Sequence, residues 1–192
     1  MFVYVLKGLL ISLSAFVFLG CTIHYKKLND TQQHIVQNHK VHQLSYRVDD
    51  LPILATTQGL KAIDDTLKAS KLFKDAEKHF DDSIPLKGLY IHIEPSYKAP
   101  TIAAAGFGYL SLITFTLLPA WSNHDGYRVT YSVYNNGSLI KTLQYEKERF
   151  IAIWLPILPF SWINLFTDGE YEVFTSTTNE FLNDIEPTLR EI

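Results

Sequence analysis

Two long stretches of this chain carry no charge, and they limit what the rest can fold into. Between Lys98 and Asp125 there is no formally charged residue, and a second uncharged run extends from Phe150 to Thr167. A chain of 192 residues is about the size of one domain. Such a domain cannot easily bury both stretches on all sides. By length the first run is long enough to span a bilayer and the second is marginal, since a span needs about 20 apolar residues. Each run holds breakers, Gly106 and Gly108 in the first, Pro156 and Pro159 in the second. Folded there, each leg is about ten residues, or roughly 15 Å if helical, which reaches about half the hydrocarbon thickness. All three tryptophans lie in or beside these runs, and Trp favours the membrane–water boundary. The expectation is two dipping or interfacial helical segments, at about 101–121 and 150–166, touching a membrane through Leu112, Trp121, Trp154, Ile157 and Trp162. A two-span hairpin is the rival, and burial in the core is the third reading.

The N-terminus brings a membrane context of its own. After Met1 a single charge, Lys7, precedes the apolar run Gly8 to Leu19, which closes on Phe18-Leu19-Gly20-Cys21. A short positive region, an apolar stretch of about a dozen residues and a small residue at the cut are the parts of a secretory signal. The cut falls before the only cysteine. This pattern resembles the lipobox of bacterial lipoproteins, with Phe18 where Leu is usual. The resemblance implies that residues 1–20 are a signal peptide and that Cys21 is lipidated and becomes the first residue of the mature chain. The alternative is an uncleaved anchor with an incidental cysteine. Thr22 stands where, in Gram-negative bacteria, an Asp resembles an inner-membrane retention signal. Its absence tilts towards the outer membrane, but the apolar segments are able to override that tilt. The choice of membrane stays open, with the protein on its periplasmic or extracellular face.

Charge and cysteine usage exclude several functions. The formal charge is −3, and loss of Lys7 with the signal makes it more negative. No surplus of Lys or Arg offers a phosphate-binding face, so nucleic acid is not an expected partner. With Cys21 acylated, no thiol remains for a disulfide, a thiolate metal site or a nucleophile.

Along the chain, residues 21–40 are polar after the cysteine and read as a lipidated tether. Residues 41–192 read as a single domain. Leu44, Tyr46 and Val48 alternate with polar neighbours, as in a half-buried strand. From Thr57 to about Phe80, Leu60, Ile63, Leu67, Phe73, Ala76 and Phe80 approximate one helical face. Leu89, Ile91 and Ile93 alternate again. Tyr127, Val129, Tyr131 and Val133 predict one strand of a hairpin, and Leu139, Leu143 and Tyr145 the other, joined by a three-residue loop Asn135-Asn136-Gly137. Gly137 takes the left-handed position such a loop needs. The tail from Asp168 suits an amphipathic helix ending near Pro187. The fold class is α+β: a small antiparallel or mixed sheet with helices packed on one face, plus the two apolar membrane-associated segments.

One stretch resembles a family. Leu67-Lys68-Ala69-Ser70-Lys71-Leu72-Phe73-Lys74-Asp75-Ala76, followed by Gly88-Leu89-Tyr90-Ile91-His92-Ile93, is similar to a helix-then-strand pattern of envelope lipoproteins. The curli-secretion and penicillin-binding-protein-activator lipoproteins are examples. The resemblance implies a scaffold that assembles or activates partners at a membrane, and it transfers no functional residue.

The search for chemistry is less productive. His34, His39 and His42 lie in or near the tether without a carboxylate to complete a site, and His92 falls on the polar face of a strand. The doublets Asp49-Asp50, Asp64-Asp65 and Asp81-Asp82 read as turn and solvated-helix residues. The chain has no Gly-x-Ser-x-Gly elbow, phosphate-binding loop or His-Glu-x-x-His helix. No catalytic residue, metal or cofactor is expected. The expected function is a lipid-anchored, non-catalytic envelope protein, acting as a membrane-docked scaffold or partner-binding module. Its partners are membrane lipid, through Cys21 and the apolar segments, and an unidentified envelope protein. The alternatives are an envelope-acting enzyme whose site is assembled from residues distant in sequence, and a two-span inner-membrane protein.

Overall fold

The alternating segments form strands and the periodic ones helices, with informative exceptions. The computed structural model describes residues 21–26, 42–51, 57–81 and 83–191. Residues 1–20, expected to be a signal peptide, and the segment 27–41 with His34 and His39 lie outside the described residues. The strands are β1 (Cys21–Tyr25), β2 (His42–Val48), β3 (Phe73–Lys78), β4 (Leu89–Lys98), β5 (Ala120–Asn135) and β6 (Ser138–Ile153). The helices are α1 (Thr57–Ala69), α2 (Ile102–Ile113) and α3 (Glu170–Leu189), with a 3-10 helix at Leu155–Phe166. The hydrogen-bonded strand order is β1-β6-β5-β4-β2-β3. β2 runs parallel to β3 and β4, and β1 runs antiparallel to β6, so the sheet is mixed. The chain forms two compact units. Unit 1 comprises, among the described residues, 21–26, 99–126 and 148–167; unit 2 comprises the rest.

Unit 2 is an α+β layer pair. Leu44, Tyr46, Ile91, Ile93, Tyr131 and Val133 are buried, and so are Ile63 and Leu67 of α1 and Phe174, Phe181 and Ile185 of α3. Burying each such side chain stabilises by about 1.5–3 kcal/mol. Phe181 stacks on Tyr131 with centroids 4.2 Å apart. The Tyr131 hydroxyl lies 3.0 Å from Thr178 Oγ1, so its polar end is satisfied inside the layer. Lys147 and Glu180 pair at 2.5 Å in a largely buried position. At the start of α3 the Glu172 carboxylate accepts the Gly169 N–H at 2.9 Å, securing the helix N-terminus. Gly59 of α1 is required by its neighbour: a Cβ there would lie 2.8 Å from the Phe174 ring. The other sheet face carries polar side chains, among them Arg128, which contacts Glu146 at 2.6 Å.

Several expectations need correction. The helix expected to Phe80 ends at Ala69, and Phe73–Lys78 is an edge strand. The Ser70 hydroxyl accepts the Leu72 N–H at 3.2 Å, turning the chain out of the helix. Only Phe73 of β3 is fully buried, so the strand carries too little alternation to stand out from helical spacing. The closing helix, by contrast, ends close to where it was expected, at Leu189, two residues past Pro187. The proline sits in the last turn, where it removes one backbone bond without ending the helix. The hairpin loop is two residues, since β5 ends at Asn135 and β6 begins at Ser138. Asn136 and Gly137 both have positive φ, +51° and +79°, as a type I′ turn requires. Ser132 nevertheless meets Thr142 and Arg128 meets Glu146, so even-numbered residues share a face.

The expected tether at 21–40 begins with β1, since Cys21–Tyr25 pairs with Ile153–Arg149 of β6. The apolar runs also depart from expectation. Gly106 and Gly108 lie inside α2 without breaking it, and Phe150–Ile153 belongs to β6. Among the described residues no helix is long and apolar enough to cross a membrane. The two-span alternative needs helices of about 20 residues, whereas α2 has 12.

Candidate functional site

Unit 1 gathers both apolar runs with β1, and its side chains are arranged inside out. In α2 the only fully buried residue is Ser111, whose hydroxyl donates to the Leu118 carbonyl at 2.7 Å. The half-buried positions are the small residues Ala104, Ala105 and Gly108. The large apolar side chains point outwards, from 50% exposure at Leu110 to 94% at Ile102, with Phe107, Leu112 and Ile113 between. An ordinary surface helix buries its large apolar residues and exposes its polar ones. α2 does the reverse.

The turn after α2 holds this arrangement in place. Phe115 and Thr116 have φ of +51° and +60°, a conformation costing about 1–3 kcal/mol per non-glycine residue. Their amides are satisfied, Phe115 N–H by Leu112 O at 3.1 Å and Thr116 N–H by Ser111 O at 2.7 Å. The Thr116 carbonyl accepts Leu155 N–H at 2.8 Å, and the Leu117 carbonyl accepts the Trp154 indole N–H at 3.1 Å. The end of the first apolar run is thereby tied to the start of the second.

The 3-10 helix follows the same rule. Asn164 turns inwards, its Oδ1 accepting Ile23 N–H at 3.1 Å. The Thr167 hydroxyl donates to Ile23 O at 3.0 Å. These two side chains satisfy the outer backbone groups of the edge strand β1 at Ile23, groups that are costly to leave open away from water. Leu165 and Phe166 point outwards at 83% and 80% exposure. Pro159 lies inside this helix and lacks the amide an α-helix would use there.

Formal charge is confined to one row. Among the described residues unit 1 holds Lys26, Asp125, Glu148 and Arg149, two positive and two negative. Lys26 pairs with Glu148 at 2.7 Å, and Arg149 with Asp125 at 3.3 Å. Register places Arg149 opposite Tyr25, while Cys21 lies opposite Ile153 at the uncharged end.

The sequence-predicted residues all lie in unit 1. Leu112, Trp121, Trp154 and Trp162 are exposed, and Ile157 is half-buried. Cys21 is the first residue of β1. Sequence reasoning missed the inward roles of Ser111, Asn164 and Thr167. Their only signal was polarity within mostly apolar runs, which Thr114, Thr116 and Ser161 share.

Ionisable groups in unit 2 are organised as structural pairs. Burial works to raise the Asp64 carboxyl, but hydrogen bonds from Lys68 and Tyr46 outweigh it and hold the group below its ordinary range. Hydrogen bonds from Lys61 and Tyr171 lower Asp65. Those from Lys98 and Arg128 lower Glu146. Asp49, His92 and Glu94 place potential ligand atoms within 4.8 Å of one another, a juxtaposition set by the β2–β4 register. Arg47 Nε already stands 3.1 Å from Asp49 Oδ1, so the cluster carries a cation of its own.

No family model and no curated protein matches the chain. Solved structures with partial likeness include a minor lipoprotein from Acinetobacter baumannii, with a TM-score of 0.39 and 11% identity over 78% of this chain and 94% of that one. A PelC dodecamer from Paraburkholderia phytofirmans gives a TM-score of 0.36 and 10% identity over 86% and 97%. A neuraminyllactose-binding hemagglutinin homolog from Helicobacter pylori gives 0.39 and 10% over 84% and 98%.

Proposed function

We propose that this chain is a lipid-anchored, non-catalytic protein of the bacterial cell envelope. It is acylated at Cys21, docks on its membrane through the apolar side chains of unit 1, and binds an envelope protein partner. The observation that carries the reading is the position of Cys21. The residue that completes the lipobox pattern opens β1, in the same unit as both apolar runs. An acyl chain there needs no tether to bring the uncharged end to a bilayer. The inverted side chains of α2 and the 3-10 helix support the same reading, since large apolar groups facing outwards suit a non-aqueous partner. The apolar segments touch one face of the membrane without crossing it.

The test is Cys21→Ser in cells. The expected result is an uncleaved, unacylated precursor, and normal processing with acyl labelling of that variant overturns the reading. Crosslinking the wild-type protein in its membrane, followed by identification of the captured protein, tests the scaffold role.

A further inference from the structure

We infer that the apolar end of unit 1 recognises the acyl-chain boundary of a bilayer and is indifferent to headgroup charge. The inference rests on the membrane-docked reading above and adds its depth and its lipid selectivity. The occupant is argued from the chain itself. The lipobox segment ends at Cys21, and Cys21 is held in the β1 ladder opposite Ile153. Its backbone therefore sits at the level where β1 begins and β6 ends. With β1 directed away from the membrane, the row of Lys26, Asp125, Glu148 and Arg149 begins four strand residues higher at Arg149, roughly 13 Å at ~3.3 Å per residue, and Lys26 and Glu148 stand one residue farther.

Two consequences follow for selectivity. The headgroup layer is about 5–8 Å thick on each side of a bilayer, and screening at physiological salt acts over about 8 Å. The charged row stands beyond both. Its charges also cancel, Lys26 against Glu148 and Arg149 against Asp125. What meets the lipid is Phe107, Leu112, Ile113, Trp162, Leu165 and Phe166, exposed and uncharged. Recognition by such a surface depends on apolar contact, which has no preference between zwitterionic and anionic lipids.

The chain supplies its own probe, since Trp121, Trp154 and Trp162 are its only tryptophans and all lie in unit 1. The acylated mature protein is reconstituted into phosphatidylcholine vesicles and into vesicles containing phosphatidylglycerol, each with bromine on the acyl chains near the headgroup. Tryptophan emission is read from about 0.1 M to about 1 M salt, which shortens the screening length from roughly 10 Å to 3 Å. The expected result is the same loss of emission in both vesicles at both ionic strengths. Lys26→Gln, which removes one exposed cation, leaves that loss unchanged. Loss of emission only with phosphatidylglycerol, loss abolished by salt, or weaker quenching in Lys26→Gln overturns the inference but leaves docking intact. No loss in either vesicle, with the acylated protein vesicle-bound, overturns the docking itself.

Discussion

Cys21 lies directly opposite Ile153 in the β1–β6 ladder, with the Trp154 indole next along the chain bound to the Leu117 carbonyl at 3.1 Å. The acylation point of the lipobox reading is thus part of the sheet, at the end where both apolar runs are joined. On the lipobox reading this would couple anchoring to folding.

Leu112 and Ile157 should behave differently. Leu112 is 63% exposed, whereas Ile157 is half-buried. Leu112→Asp should weaken membrane retention of an unlipidated chain made as residues 21–192 with Cys21→Ser, while changing stability by no more than about 0.5 kcal/mol. Ile157→Asp should reduce both, by about 1–3 kcal/mol in stability, because it buries a carboxylate in part. Flotation with liposomes and urea unfolding measure the two effects. Equal destabilisation by both substitutions would show that α2 is core.

Asn164→Ala removes the acceptor for Ile23 N–H. A partly buried amide left unpaired costs about 1–3 kcal/mol. The amide of Ile23 should exchange with deuterium faster than in wild type, with little change in unit 2. Unchanged exchange at Ile23 would show that water replaces Asn164 without cost.

Gly59→Ala sets two effects against each other. Alanine gains up to about 1 kcal/mol of helix propensity over glycine. Its Cβ, however, would lie 2.8 Å from a Phe174 ring that is fully buried. Overpacking of this kind costs about 1–3 kcal/mol, and the ring has no room to turn away. The expected net effect is a loss of about 1–2 kcal/mol, measured by denaturant midpoint. A gain in stability would mean that α1 shifts along α3 to make space.

Acid should weaken unit 2. Asp64 lies below its ordinary range because hydrogen bonds from Lys68 and Tyr46 outweigh a burial that pushes the other way. Asp65 and Glu146 are lowered by hydrogen bonds from their own partners. A carboxyl whose folded pKa is depressed adds stability above its unfolded value, about 4, and that stability disappears as pH falls through the folded value. Thermal midpoints should therefore fall below about pH 4. Asp64→Asn should be less stable at neutral pH and show a shallower acid slope. An unchanged slope would remove Asp64 from the account.

The sequence by itself determined the character of each segment. Alternation at Leu44–Val48, Leu89–Ile93 and Tyr127–Val133 is a local pattern that follows from the two-residue repeat of a strand, and all three are strands. The α+β class, the closing helix and the left-handed Gly137 were legible for the same reason. The absence of charge between Lys98 and Asp125 marked the unusual surface before any fold was known. Tertiary structure alone decided where those segments meet. Phe73–Lys78 is a strand because β2 offers it a partner, which its helical spacing does not reveal. Asn164 and Thr167 turn inwards because the backbone groups of Ile23, distant in sequence, need partners. Asp49 joins His92, and Cys21 joins Ile153, through strand register. Register depends on long-range pairing, and local periodicity carries no information about which strands pair.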